Sequence, residues 1–199
     1  MARAFPGPGG ATLLQPTAGG AALPAVLLAV IAGSIAIGVS AQVSIGIPIG
    51  PVPITGQTLV VLLIGAAYGS RLGAATVLSY LAQGAVGMPV FANGGAGLAV
   101  LTGPTGGYLA GFVMAAFLVG WLAERGWDRR AATTVLAMVA GNAVIYACGV
   151  TRLAEFIGWD RVWSAGVQPF LAGDALKVAL ASGILRGAWW LRERLTGQR

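Results

Sequence analysis

The stretch FLAGDALKVALASGILRGAWWL, residues 170–191, decides how the whole chain is read. It reads as a membrane helix, because about 20 predominantly apolar residues in a helix span a hydrocarbon core of ~30 Å. Yet it carries Asp174 and Lys177, the latter the only lysine in the chain. An acid and an amine three residues apart inside a membrane helix demand either a structural or a functional reason.

The rest of the sequence supports the membrane setting. Of 199 residues, 57% are hydrophobic and only 9% charged, against roughly 25% charged in soluble domains. No charged side chain occurs over residues 4–70 or 72–123. The net charge of +6 is carried by arginines clustered at segment ends, which is a topology signal rather than a nucleic-acid surface on a soluble fold. The chain has no histidine and one cysteine, Cys148. Zinc sites and catalytic dyads built on those residues are thereby excluded, as is an internal disulfide.

Six candidate helices follow, over residues 22–42, 58–68, 71–86, 105–123, 131–153 and 170–191. The expected fold class is an all-α polytopic bundle of six transmembrane helices, with a tail at 1–21, a membrane domain at 22–192 and a C-terminal tail at 193–199. Arg125, Arg129 and Arg130 lie in the fourth connection, and Arg192, Arg194 and Arg199 lie at the C-terminus. Arg3 and Arg71 mark the same side, whereas the opposite side has Arg152 and Arg161 offset by Glu155 and Asp160. The positive-inside rule therefore puts both termini in the cytoplasm, as an even number of spans requires. The six tryptophans fall near segment ends, matching interfacial aromatic belts. The Gly/Pro-rich segment 1–20 reads as disordered. A leader peptide cleaved after residues 39–41 is disfavoured, since the apolar run exceeds the 7–15 residues of a signal core.

Two loops on the outer side are unusual. SIGIPIGPVPITGQ (44–57) and GMPVFANGGAGLAVLTGPTGG (87–107) are uncharged and rich in Pro or Gly. Irregular backbone of this kind is tolerated at membrane depth only when buried or lining a cavity. They are either packed structural loops or the walls of an outward-facing binding site. Glycines at four-residue steps (65, 69, 73 and 103, 107, 111) read as close helix packing. Ala25, Ala29, Ala32 and Ala36 form a small-residue stripe on the first helix, serving internal packing or docking of another membrane protein.

Asp174 and Lys177 share a helix face at i,i+3, about 6 and 10 Å below the outer end of the span. Intramembrane ionisable groups cost about 2.5–3.5 kcal/mol each near the bilayer centre and face the bundle interior. The pair is either a packing ion pair or the polar floor of a ligand site. Asn142 and Tyr146, at i,i+4 on the fifth helix, complete a polar cluster or make structural hydrogen bonds.

At these residues the sequence resembles the BioY family, the biotin-binding S components of energy-coupling-factor (ECF) transporters. The resemblance rests on PVPITGQTLVVLLIGAAYG (51–69), GMPVFANGGAGLAVLTGPTGGYLAGF (87–112), GNAVIYACG (141–149) and FLAGDALK (170–177), and it spans about residues 22–192. It implies a six-helix S-component fold in the cell membrane that mediates high-affinity biotin uptake, with no enzymatic activity, cofactor or metal. The ligand residues it implies are Asp174, Lys177, Asn142, Tyr146 and Gln57, with Phe91, Asn93, Gly94 and Gly95 from the glycine-rich loop. The Ala25–Ala36 stripe would meet a transmembrane coupling protein energised by two ATPases, with a second copy of the chain as an open further partner. Biotin's chemistry suits such residues, because a carboxylate accepts from ureido N–H groups and an ammonium donates to an oxygen. Which end of biotin meets which charge stays open. The competing readings are a self-sufficient secondary transporter using the Asp174/Lys177 pair for ion coupling, and an intramembrane enzyme. The chain has no GxxxxGK[ST] motif for ATP hydrolysis, and no nucleophile or metal constellation accompanies the pair.

Overall fold

A computed structural model describes residues 12–13 and 22–196. Except for Thr12 and Leu13, the expected N-terminal tail lies outside the described residues, as do residues 197–199. Helix α1 (Ala22–Gln42) is followed by a small antiparallel ladder, β1 (Ser44–Ile45) with β2 (Ile54–Thr55), pairing Ser44 with Thr55. Helices α2 (Gln57–Tyr68) and α3 (Ser70–Ala85) come next. The second Gly-rich loop (87–107) holds a 3-10 turn at Ala92–Gly94 and a short helix α4 (Leu98–Thr102). Helices α5 (Gly106–Ala123), α6 (Ala131–Ile157), α7 (Trp159–Gly166) and α8 (Gln168–Thr196) complete the chain.

The fold is mostly helical, as expected, with a two-residue antiparallel ladder in the first loop. Proline and glycine cannot continue a helix through residues 46–53, and the ladder satisfies backbone groups that the loop would otherwise leave unpaired. The segment between the fifth and sixth expected spans is not a loop. Gly158, at φ 83°, breaks the chain after α6, and α7 starts at once with Asp160 in its first turn, where an acid complements the helix dipole. Val162 and Ala165 of α7 are buried. Charge at residues 160–161 conceals this amphipathic helix from a hydropathy reading.

Among the described residues, three helices are long and apolar enough to cross a membrane: Leu23–Gln42, Gly106–Ala123 and Ala131–Ile157. Helix α2 is apolar but shorter. Helix α5 is the hub, packing against α6, α2 and α3, while α8 packs against α2 and α6. Glycines make these approaches possible. A Cβ on Gly65 of α2 would stand 2.6 Å from the Ala116 carbonyl of α5, and one on Gly107 would stand 2.4 Å from the Cys148 carbonyl of α6. At the α2–α3 turn, Glu124 Oε1 accepts from Ser70 N at 2.7 Å and from Ser70 Oγ at 2.8 Å. It thereby supplies the first turn of α3 with an acceptor that the helix itself lacks.

On the side of the fold carrying that turn, Asp128 is buried and its Oδ2 accepts from Trp189 Nε1 at 2.7 Å. Trp189 is thus a structural partner of the α5–α6 connection. Arg192 donates to the Thr12 carbonyl at 3.3 Å, fixing the described N-terminal residues against α8.

Candidate functional site

A partly open cavity of about 220 Å³ lies between the two unusual loops, the ends of α2, α5 and α8, and the middle of α6. The first loop contributes Pro51, Val52, Pro53 and Thr55, and α2 adds Gln57 and Thr58. Phe91, Ala92 and Asn93 come from the second loop, with Val100 of α4 and Thr105 beside them. Tyr108, Leu109 and Phe112 line it from α5, Ile145 and Tyr146 from α6, and Phe170, Asp174 and Lys177 from α8. A mostly apolar cavity with a few converging polar groups is the form of a small-molecule site.

Its polar end is one connected network. Lys177 Nζ donates to Asp174 Oδ1 at 3.0 Å and to Thr58 Oγ1 at 2.9 Å. Tyr146 donates its phenolic proton to Asp174 Oδ2. The carboxylate is therefore held by α6 and by its own helix, and its side chain is only 10% exposed. An ammonium has three protons, so Lys177 keeps one for a partner in the cavity. The carboxylate thus orients the amine, which in this geometry can donate to an acceptor in the cavity.

The second loop is a shaped wall. Asn93 has φ 57° and is the only non-glycine residue with positive φ among the described residues; asparagine tolerates this region better than most side chains. Phe91 is buried, and its ring packs edge-on to Tyr80 with centroids 5.5 Å apart. The ring lies over Gly84 of α3, where a Cβ would stand 2.1 Å from Phe91 Cζ. Behind this wall Gln57 Nε2 donates to Tyr80 Oη at 2.7 Å, and Gln57 Oε1 accepts from Thr55 Oγ1 at 3.1 Å.

Of the residues singled out from sequence, Asp174, Lys177, Tyr146, Gln57, Phe91 and Asn93 line the cavity. Gly94 and Gly95 sit in the same loop outside its lining, and Asn142 lies one turn below Tyr146, buried, with Oδ1 unpartnered. Ala25, Ala32 and Ala36 are exposed and Ala29 is half-buried on the outer face of α1. Sequence reasoning missed Thr58 and the aromatic wall of Tyr108, Phe112 and Phe170. Tyr108 and Phe112 stand at i,i+4 directly after the glycine-rich loop, a spacing that marks one helix face. Tyr108 stacks on Phe170 at 6.3 Å and donates to the Gly166 carbonyl at 2.8 Å.

The BioY family model matches residues 7–194. A biotin transporter BioY of Thermotoga maritima is 42% identical over 69% of this chain and 81% of its own length. A probable biotin transporter BioY of Pyrococcus horikoshii is 40% identical over 72% and 83% respectively. The fold is similar to the crystal structure of the S-component for biotin from an ECF-type ABC transporter. That likeness has a TM-score of 0.74 at 23% identity and covers 91% of this chain and 95% of the other. With a family match that runs nearly end to end and relatives at this identity, the chain belongs to the BioY family.

Proposed function

We propose that this chain is a biotin-binding membrane subunit that mediates biotin uptake, with the cavity between the two outer loops as the biotin site. The observation that carries the reading is Lys177, held by Asp174 and Thr58 with one proton left, at the polar end of an otherwise apolar cavity. Biotin offers oxygen acceptors for that proton and an apolar body for the wall of Phe91, Tyr108, Phe112 and Phe170. Names given to relatives, each a biotin transporter, support the choice of ligand.

In this reading the protein spans the cell membrane six times with both termini cytoplasmic, the tails at 1–21 and 193–199 lying outside the membrane domain. The arginine distribution supports that orientation. Helices α1, α2, α3, α5, α6 and α8 are the spans, and α4 and α7 lie at the outer face. The exposed alanines of α1 are the docking face for an ECF-type coupling protein energised by ATPases, in keeping with the fold of the biotin S-component. The protein binds its ligand without altering it chemically.

Calorimetric titration of the purified protein with biotin, in parallel with riboflavin and thiamine, tests the ligand. One-to-one binding of biotin alone is expected. Well-folded protein that ignores biotin overturns the assignment.

A further inference from the structure

The wall formed by the second Gly-rich loop is held from two helices by side chains that do not line the cavity. From the end of α1, Gln42 reaches the loop with both ends of its amide: Nε2 donates to the Phe91 carbonyl at 3.1 Å, and Oε1 accepts from Gly94 N at 3.1 Å. From α3, the fully buried Tyr80 donates to the Val90 carbonyl at 3.2 Å. That hydroxyl is itself set by Gln57, whose side chain lines the cavity. Between these holds the loop makes short internal bonds, Phe91 N to Gly95 O at 3.0 Å and Gly95 N to Ala92 O at 3.1 Å. Its backbone bonds to α3 lie on either side of the cavity-lining residues: Gly87 N to Gly84 O at 3.1 Å, Met88 N to Gln83 O at 3.1 Å and Gly97 N to Gly84 O at 2.7 Å. Phe91, Ala92 and Asn93 therefore have no helix ladder of their own, and Asn93 occupies a left-handed conformation that the surroundings must maintain.

We infer that Gln42 and Tyr80 are positioning residues that clamp residues 90–94 as the cover of the cavity, and that release of this clamp sets how fast a bound ligand leaves. The ligand part of the inference rests on the biotin reading above; the clamp itself does not. Local segments held by few contacts open independently of the global fold, and cover opening commonly limits release of an enclosed ligand.

The test uses the full chain in detergent with Gln42→Leu and Tyr80→Phe, each removing the hydrogen bonds while keeping most of the side-chain volume. Two quantities are read: hydrogen exchange of amides in residues 91–97 without ligand, and association and dissociation rates of radiolabelled biotin. Loop exchange faster by about tenfold with unchanged α5 and α6 amides is expected, as is biotin release faster by roughly three- to tenfold, the scale of one or two net hydrogen bonds. Association should change less than release. Unchanged loop exchange overturns the clamp, and so does equal acceleration throughout α5 and α6, which would mean general loosening. Faster loop exchange with unchanged biotin release overturns the role of the cover in ligand exit. If the parent protein does not bind biotin, the ligand assignment falls, and the exchange measurement alone decides the clamp.

Discussion

Lys177 Nζ donates to Thr58 Oγ1 at 2.9 Å, a bond joining α8 to the first turn of α2 between residues 119 apart in sequence. Together with the bond to Asp174 it fixes the amine from two helices, so that the direction of its remaining proton is a property of the helix packing. Thr58→Val keeps the shape and removes this acceptor. Biotin affinity is expected to fall about three- to tenfold with little loss of stability, since one hydrogen bond contributes about 0.5–1.5 kcal/mol net. Calorimetry with a parallel thermal melt checks both parts, and unchanged affinity would remove Thr58 from the site.

Removing the amine should be worse for the fold than removing both charges. Lys177→Met leaves the Asp174 carboxylate nearly buried without its cation, and breaking a buried pair in this way costs about 3–5 kcal/mol. Asp174→Asn combined with Lys177→Met removes the stranded charge and should recover most of that loss, while biotin binding stays absent in both. Denaturation in detergent compares the variants. Equal stability of the single and double variants would mean that solvent already neutralises the carboxylate.

Gly84 is where the helix yields to the loop. A Cβ there would stand 2.1 Å from the Phe91 ring, so Gly84→Ala must push the ring, and with it the cavity wall, out of place. Biotin affinity should drop by at least about tenfold and stability by roughly 1–3 kcal/mol, the range for overpacking a core. Gly183, with no atom within 4 Å of its added Cβ, provides the control. Gly183→Ala should leave binding unchanged.

Asp128 makes the stability of the α5–α6 connection depend on pH. Burial pushes its carboxyl above the ordinary aspartate value, outweighing the Trp189 hydrogen bond and the nearby Arg129 and Arg192 charges that act in the opposite direction. The native state thus holds this proton more tightly than the unfolded chain does. The contribution is fully present below the ordinary value of about 4 and is lost as pH rises through the higher native value. Asp128→Asn keeps an acceptor for Trp189 and does not titrate. Relative to the wild type it should gain stability as pH rises from about 4 towards neutrality, as read from paired thermal melts across that window. A constant difference between the two would refute the shift.

The membrane setting and the family were legible in the sequence itself, because both are written in local runs. Charge-free segments and arginines at their ends record the cost of placing charge in hydrocarbon, a cost each residue carries wherever the chain folds. The pairing of Asp174 with Lys177 was legible for the same reason, since helical periodicity alone puts i and i+3 on one face. What required the tertiary structure was everything joined across helices. Thr58, Gln42 and Tyr80 are ordinary polar residues in apolar surroundings, and their meaning lies in partners 119, 49 and 10 residues away. Helix α7 stayed hidden because a short amphipathic helix bearing charge looks like a loop until α6 and α8 provide the surface that buries Val162 and Ala165. Local sequence dictates which segments leave water, whereas packing decides which of their few polar atoms meet, because that depends on distances no single segment encodes.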